Sequence, residues 1–218
     1  MRWISIVSLA PCLVAPFAAA EGKPRTVTFS KDALNKLPKG WKANHTGKDG
    51  AGSWKVTADD TGPAKSGYVL SQIGQSPGPV FNLCVHDTSL ADVDVSVMFK
   101  PNKGKRDQGG GLVWRYLDAG NYYVARYNPL EDNYRLYKVV AGKRIQLETK
   151  ENLKFAAGMW HALRVKMTGS QIECYLDGKK YLEAKDETFQ KAGKVGLWTK
   201  ADAQTSFDQL VIIDLKKK

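Results

Sequence analysis

The sequence predicts an all-β protein, an antiparallel β-sandwich in one domain, and three observations carry that prediction. Residues 92–99 alternate strictly. Val93, Val95, Val97 and Phe99 fall on one face and Asp92, Asp94 and Ser96 on the other, as in a strand with one buried side. Short runs rich in β-branched and aromatic residues recur after residue 50, while helical periodicity is nearly absent. Between the runs stand Asp118-Ala119-Gly120-Asn121, Ala141-Gly142-Lys143, Thr168-Gly169-Ser170 and Asp177-Gly178, with Gly, Asn or Asp where a tight reversal needs positive φ. Many short strands at this spacing close as a sandwich or barrel.

In chain order, strands are expected at 26–29, 53–57, 68–73 and 80–85, then at 92–99, 110–116, 122–127, 134–140, 160–167, 171–176, 194–199 and 207–215. Residues 145–159 hold at most one short strand, around 146–149, and an irregular link. Residues 100–110 are polar and glycine-rich and read as a mobile loop. Asp92 and Asp94 read as the solvated side of their strand. No internal repeat and no interdomain linker is evident.

Residues 1–20 differ in composition from the rest: Arg2 is positive, 3–17 is mostly apolar, and Ala18-Ala19-Ala20 offers small residues for cleavage. That is the pattern of a secretory signal, so export to a periplasmic or extracellular space is expected. The apolar run contains Pro11 and Pro16 and falls short of the ~20 residues that span a bilayer, so no stable membrane insertion is expected. A lipid anchor at Cys12 is the competing reading, and Pro11 fits that pattern poorly. Residues 21–218 then form the single domain, long enough for one sizeable core.

Loss of Arg2 from the 33 basic residues leaves 32 against 22 acidic ones, a balance of +10. Such a charge attracts anionic envelope polymers weakly. Nucleic acid is not an expected partner, because the lysines are spread through turns and not gathered beside stacking aromatics. Cys84 and Cys174 sit in alternating apolar runs, which leaves open one disulfide or two buried thiols. No His or Cys spacing matches a transition-metal site and no loop a calcium hand, so neither metal nor cofactor is expected.

The segments GGGLVWRYLDAGNYYVARYNPLEDNYRLYKVVAGKR (109–144), WHALRV (160–165), ECYLDGKK (173–180) and DETFQKAGKVGLWTKADAQTSFDQL (186–210) carry a likeness. In this order they resemble the 3-keto-disaccharide hydrolase domain family, a branch of the concanavalin A-like lectin and glucanase superfamily. The resemblance covers about 80–215. It implies a laminin G-like jelly roll with carbohydrate in a concave groove, and hydrolysis of 3-keto-glycosides as an activity. Glycosidases of this fold use a Glu-x-Asp-x-x-Glu strand motif for acid and nucleophile. That motif is missing, so a conventional retaining glucanase is not expected.

A 3-keto sugar needs less machinery. The ketone acidifies the neighbouring C–H, so one base and a group holding the enolate oxygen suffice for elimination, with water added afterwards. Glu131, Asp202, Asp208 and His161 are candidate bases, with Glu131 and Asp208 taken as catalytic and His161, a lone histidine, reading as structural. Arg115, Arg126, Arg135 and Lys200 are candidate cations. Arg115 and Arg126 lie in apolar strands, where an unpaired charge is costly, so each meets a carboxylate or a ligand. Among the aromatics Tyr123 and Trp198 are candidate stacking surfaces. Asn128 and Asn133 bracket a polar reversal at the sandwich rim, and Asp202 follows Trp198 and Lys200 in a second wall. The alternative function is a non-catalytic carbohydrate-binding or adhesion module using the same groove.

Overall fold

The computed structural model describes residues 22–48, 50, 52–76 and 78–215; the expected signal, the Cys12 anchor and the terminal Lys216-Lys217-Lys218 lie outside them. Among the described residues fifteen strands are formed: β1 (Arg25–Val27), β2 (Trp41–Thr46), β3 (Trp54–Ala58), β4 (Tyr68–Gln72), β5 (Phe81–Leu90), β6 (Val93–Lys103), β7 (Gly110–Asp118), β8 (Asn121–Asn128), β9 (Asn133–Val140), β10 (Lys143–Lys150), β11 (His161–Thr168), β12 (Gln171–Leu176), β13 (Lys179–Lys185), β14 (Gly193–Lys200) and β15 (Gln204–Asp214). One 3-10 turn, Lys31–Ala33, precedes β2.

The strands pair in two antiparallel sheets. One runs β13-β12-β11-β6-β15-β4-β3 with β1 beside β15, the other β10-β9-β8-β7-β14-β5-β2. Their inner faces share a core in which Val95, Val97, Phe99, Val165 and Phe207 of the first meet Leu112, Trp114, Ala125, Tyr127, Leu136 and Leu197 of the second. This is a jelly-roll sandwich, and the alternation of 93–99 supplies its centre. Two reversals carry positive φ at both central residues, Ala141 (48°) with Gly142 (77°) and Asp177 (47°) with Gly178 (79°), as a two-residue hairpin requires.

Several expectations need correction. β2, β13 and the 3-10 turn appear where no element is expected, and β10 is a full eight-residue strand. The expected loop at 100–110 is strand as far as Lys103, with Pro101 beyond the last rung that β6 shares with β11, His161↔Phe99, where its missing N–H costs no bond there. Asp94 is not solvated: it is buried under Arg164, whose guanidinium binds both carboxylate oxygens. Cys84 and Cys174 are free and buried, on strands of opposite sheets.

The seven-stranded sheet also buries its outer face. Phe81, Leu83, Val85, Val113, Tyr122, Val124, Tyr137, Val139 and Trp198 alternate with the core positions and form a second apolar cluster. Coiling brings them together. Five strand spacings separate β10 from β5, roughly 24 Å if the sheet were flat, yet the guanidinium of Arg144 lies 5.1 Å from the Phe81 ring. At the same corner the Thr46 hydroxyl donates to the Ala119 carbonyl and lies 2.9 Å from the Tyr122 hydroxyl. The outer face is therefore a coiled, concave surface.

Candidate functional site

The strand register lays a row across this concave face: Leu83, Trp198, Gly111, Arg126, Arg135 and Thr149. Gly111 stands between the indole and the first guanidinium. A Cβ there would lie 2.8 Å from the Ala125 carbonyl oxygen and 3.0 Å from the Arg126 Cβ, so close approach of β7 and β8 requires glycine. One step along lie Lys200, Asn128 and Asn133.

Arg126 is 1 % exposed, and its charge is met as the sequence requires. Nη1 donates to Asn133 Oδ1 at 2.9 Å and Nη2 to Glu131 Oε2 at 2.7 Å. Glu131 Oε2 also accepts from Asn133 Nδ2 at 3.1 Å, and Arg135 reaches both Glu131 and Glu151. The turn 128–133 supports this arrangement through the Asn128 side chain, whose Oδ1 accepts the Leu130 N–H at 3.0 Å. Burial alone would raise the Glu131 carboxyl, but the hydrogen bond and charge of Arg126, with Asn133 and Arg135, hold it at about 2.

A depressed folded-state value stabilises the protein above the ordinary 4.5, and that contribution is lost as pH falls toward 2. Glu131→Gln should therefore destabilise the fold at neutral pH by about 1–2 kcal/mol after allowance for solvent screening at this half-exposed carboxylate. The gap in Tm between wild type and variant should close as pH drops from 4.5 toward 2. A gap independent of pH would show that the ion pair contributes nothing.

The carboxylate that meets these cations from the other side is Asp107, in the segment read as a mobile loop. Asp202 ties that segment down: its carboxylate accepts the backbone N–H of Lys105 (2.8 Å), Arg106 (3.0 Å) and Asp107 (3.1 Å). Asp107 is fully buried. Its Oδ1 accepts the Gly109 N–H at 2.9 Å, while Oδ2 has no hydrogen-bond partner among the described residues and lies 3.7 Å from Lys200 Nζ. Burial raises its pKa above the usual carboxylate value, against the lowering pull of Arg126 and Lys200. Arg126 Nε, Asn128 Nδ2, Arg144 Nη1 and Trp198 Nε1 are likewise buried and without hydrogen-bond partners among the described residues. Native interiors leave few such atoms, so five on one face mark a place for ligand or water oxygens.

Of the expected residues, the fold brings together Arg126, Asn128, Glu131, Asn133, Arg135, Trp198 and Lys200. Trp198 is floor beneath the face rather than a stacking surface: it has no exposed area and packs on Phe81 with ring centroids 5.3 Å apart. Asp202 orders the Asp107 loop through its backbone bonds. Three residues do not join the cluster. Asp208 lies on β15 of the other sheet, where its oxygens accept the Ala64 and Gln209 N–H groups. Tyr123 is in the core, stacked on Trp114 and donating to Asp186. Arg115 (φ 43°) is spent on the carbonyls of Ala91, Gly169 and Phe189 and on Asp92, beside a surface hollow of about 380 Å³. His161 bridges Asp177 and the Ala156 carbonyl and is structural.

Asp107 and Arg144 are not among the expected site residues. Arg144 lies over the Tyr137 ring at 4.4 Å as well as over Phe81. Beside Phe81 opens a hollow of about 470 Å³, lined by Thr46, Gly47, Lys48, Pro79, Val80, Phe81 and Gly142 and within the range of small-molecule pockets. Among the described residues no three His, Cys, Asp or Glu side chains converge as metal ligands, and no helix is long and apolar enough to cross a membrane.

Comparison with solved structures shows the same fold. Carbohydrate binding module CBM66 from Bacillus subtilis superposes with a TM-score of 0.63 at 20% identity, over 84% of this chain and 98% of that one. A β-glucanase from Bacillus licheniformis gives 0.55 at 16% identity, over 85% and 96%. A protein of unknown function with a galectin-like fold, also from Bacillus subtilis, gives 0.56 at 11% identity, over 86% and 97%. No curated protein matches the chain. The family described as 3-keto-alpha-glucoside-1,2-lyase-like domain matches residues 33–213, a span that takes in β2 to β14, nearly all of β15 and every residue of the concave cluster, and the chain belongs to that family.

Proposed function

We propose that the concave face binds a 3-keto-glycoside and cleaves it by elimination, with Asp107 as the base. The observation that carries this reading is the Asp107 carboxylate: raised in pKa, with one oxygen that accepts no hydrogen bond and lies beside the partly exposed Lys200 ammonium, the side chain that substrate must displace to reach it. General bases work best when burial lifts their pKa toward the working pH. Glu131, held at about 2 by Arg126, is too weak a base for a carbon acid and serves to fix the guanidinium.

In the proposed step Asp107 takes the proton from C2, next to the C3 ketone. The C–H electron pair passes through the enolate and becomes the C1=C2 bond. The C1–O bond breaks, and the departing alkoxide takes a proton from water. The hydroxide left behind adds to C1 and Asp107 returns its proton to C2, a net addition of water to the double bond that completes hydrolysis and regenerates the base. Arg126 and Lys200 favour the negative charge that develops, through a face of low dielectric.

The test is incubation with 3-keto-trehalose or 3-keto-lactose, following release of the second sugar and deuterium exchange at C2. Release supports the lyase reading. Binding of an intact, unoxidised glycan with no turnover would select a carbohydrate-binding module. One observation favours that second reading, namely that Asn133 and Glu131 already occupy Nη1 and Nη2 of Arg126, leaving only its Nε for an enolate oxygen. Export to the periplasm or outside is proposed from residues 1–20 and is tested by the mass of the mature N-terminus, which a retained Met1 would refute.

A further inference from the structure

Each of the other cations gathered on the concave face has a carboxylate partner: Arg126 has Glu131, Arg135 has Glu131 and Glu151, and Lys200 has Asp107. Arg144 has none among the described residues. Its guanidinium is held between two rings, Tyr137 at 4.4 Å and Phe81 at 5.1 Å, which attract a cation but accept no in-plane hydrogen bond. Nη1 is buried and unpartnered. Burial, ahead of the nearby charge of Arg126, disfavours the charged form, and Tyr137 with the Asp107 and Glu131 carboxylates, neither of which is within ion-pair reach, offsets this only in part. A desolvated guanidinium beside a second one is costly unless something anionic completes it. It stands two residues after the Ala141-Gly142 turn, over the Phe81 ring that, with Gly142, lines the neighbouring hollow.

We propose that Arg144 is the receptor for an anionic oxygen of the bound sugar. The flat guanidinium presents parallel N–H donors that suit a carboxylate or a single oxyanion, and the two rings fix its orientation in advance. Two sources share this chemistry. One is a permanent carboxylate on a uronic acid unit; the other is the oxyanion that develops at C3 when the C2 proton leaves. The second rests on the elimination reading above, and the first does not.

The experiment compares wild type, Arg144→Met and Arg144→Lys. Calorimetric titration with glucuronate and with glucose reads the permanent carboxylate, and turnover of 3-keto-trehalose reads the oxyanion. For a carboxylate receptor, wild type prefers glucuronate by about tenfold or more and Arg144→Met abolishes the preference. For an oxyanion receptor, Arg144→Met lowers kcat by about 10²–10³ with KM little changed. If Arg144→Met fails to fold, Arg144→Lys is decisive, because it keeps the charge and loses the fork. It should lose most of the preference or of the rate. Unchanged preference and unchanged rate in the folded variant overturn the proposal, as does a wild type showing neither. A wild type that prefers glucuronate but turns nothing over sinks the elimination reading and leaves the receptor standing.

Discussion

Asp107→Asn should lower kcat for a 3-keto-glycoside by about 10²–10⁴, the usual contribution of a positioned general base. The change is isosteric. The amide still accepts the Gly109 N–H through its oxygen, so the loop held by Asp202 should keep its place and the Tm should move little. Deuterium exchange at C2 should vanish together with turnover. The pH profile identifies the base independently. The Asp107 pKa is raised, so kcat/KM should climb with pH along a limb lying above the ordinary carboxylate value of 3.8. A base with the Glu131 value of about 2 would leave no limb in that range. Retention of C2 exchange in Asp107→Asn, or a limb below 3.8, would assign the proton to another group. The same raised value has a cost in stability. Ionised Asp107 is disfavoured by burial, so its contribution to folding weakens as pH rises above 3.8 through its folded pKa.

The second large effect is expected at Trp198. With no exposed surface and with Phe81 and Leu83 as neighbours in the outer-face cluster, Trp198→Ala leaves a cavity under the concave face. Substitutions of this kind cost about 3–5 kcal/mol. For a domain of this size that lowers Tm by roughly 10 °C. Sugar affinity should fall as a consequence of the disturbed floor, in step with stability. A variant with wild-type Tm and lost affinity would instead show that the indole faces ligand.

Much of the fold is legible in the sequence because burial on one face writes a period of two. The strand at 92–99 and the hairpin turns at Ala141-Gly142 and Asp177-Gly178 are local signals that the structure repeats. β13 is not legible in this way. It is an edge strand, Lys179–Lys185, with charged side chains that protect an exposed margin and only Leu182 fully buried. The polar reversal at 128–133 and the buried charge of Arg126 are readable for a similar local reason: a cation in an apolar strand must find a partner, and Glu131 and Asn133 lie within the same hairpin.

Asp107 and Arg144 are not readable from their own neighbourhoods. Asp107 sits among lysine, arginine and glycine, and what buries it is anchored by Asp202, 95 positions away in the chain. Arg144 meets Phe81 only because the sheet coils. Conversely, Asp208 and Arg115 have the right chemistry and the wrong address. The pairing of β15 with β4 and β6 puts the carboxylate on the other sheet, and the bulge between Trp114 and Asp118 turns the guanidinium toward the Ala91 and Gly169 carbonyls.

The bond from the Thr46 hydroxyl to the Ala119 carbonyl works like a drawstring. It joins the margin strand β2 to the β7–β8 reversal across the curl of the sheet, beside the hollow that Thr46 itself lines. The groups proposed to act on a sugar come from positions 107 to 200, yet the curl that gathers them is fastened by a threonine far upstream. Thr46→Val, which removes the hydroxyl and keeps the shape, should therefore loosen the coil while leaving every one of those groups unchanged.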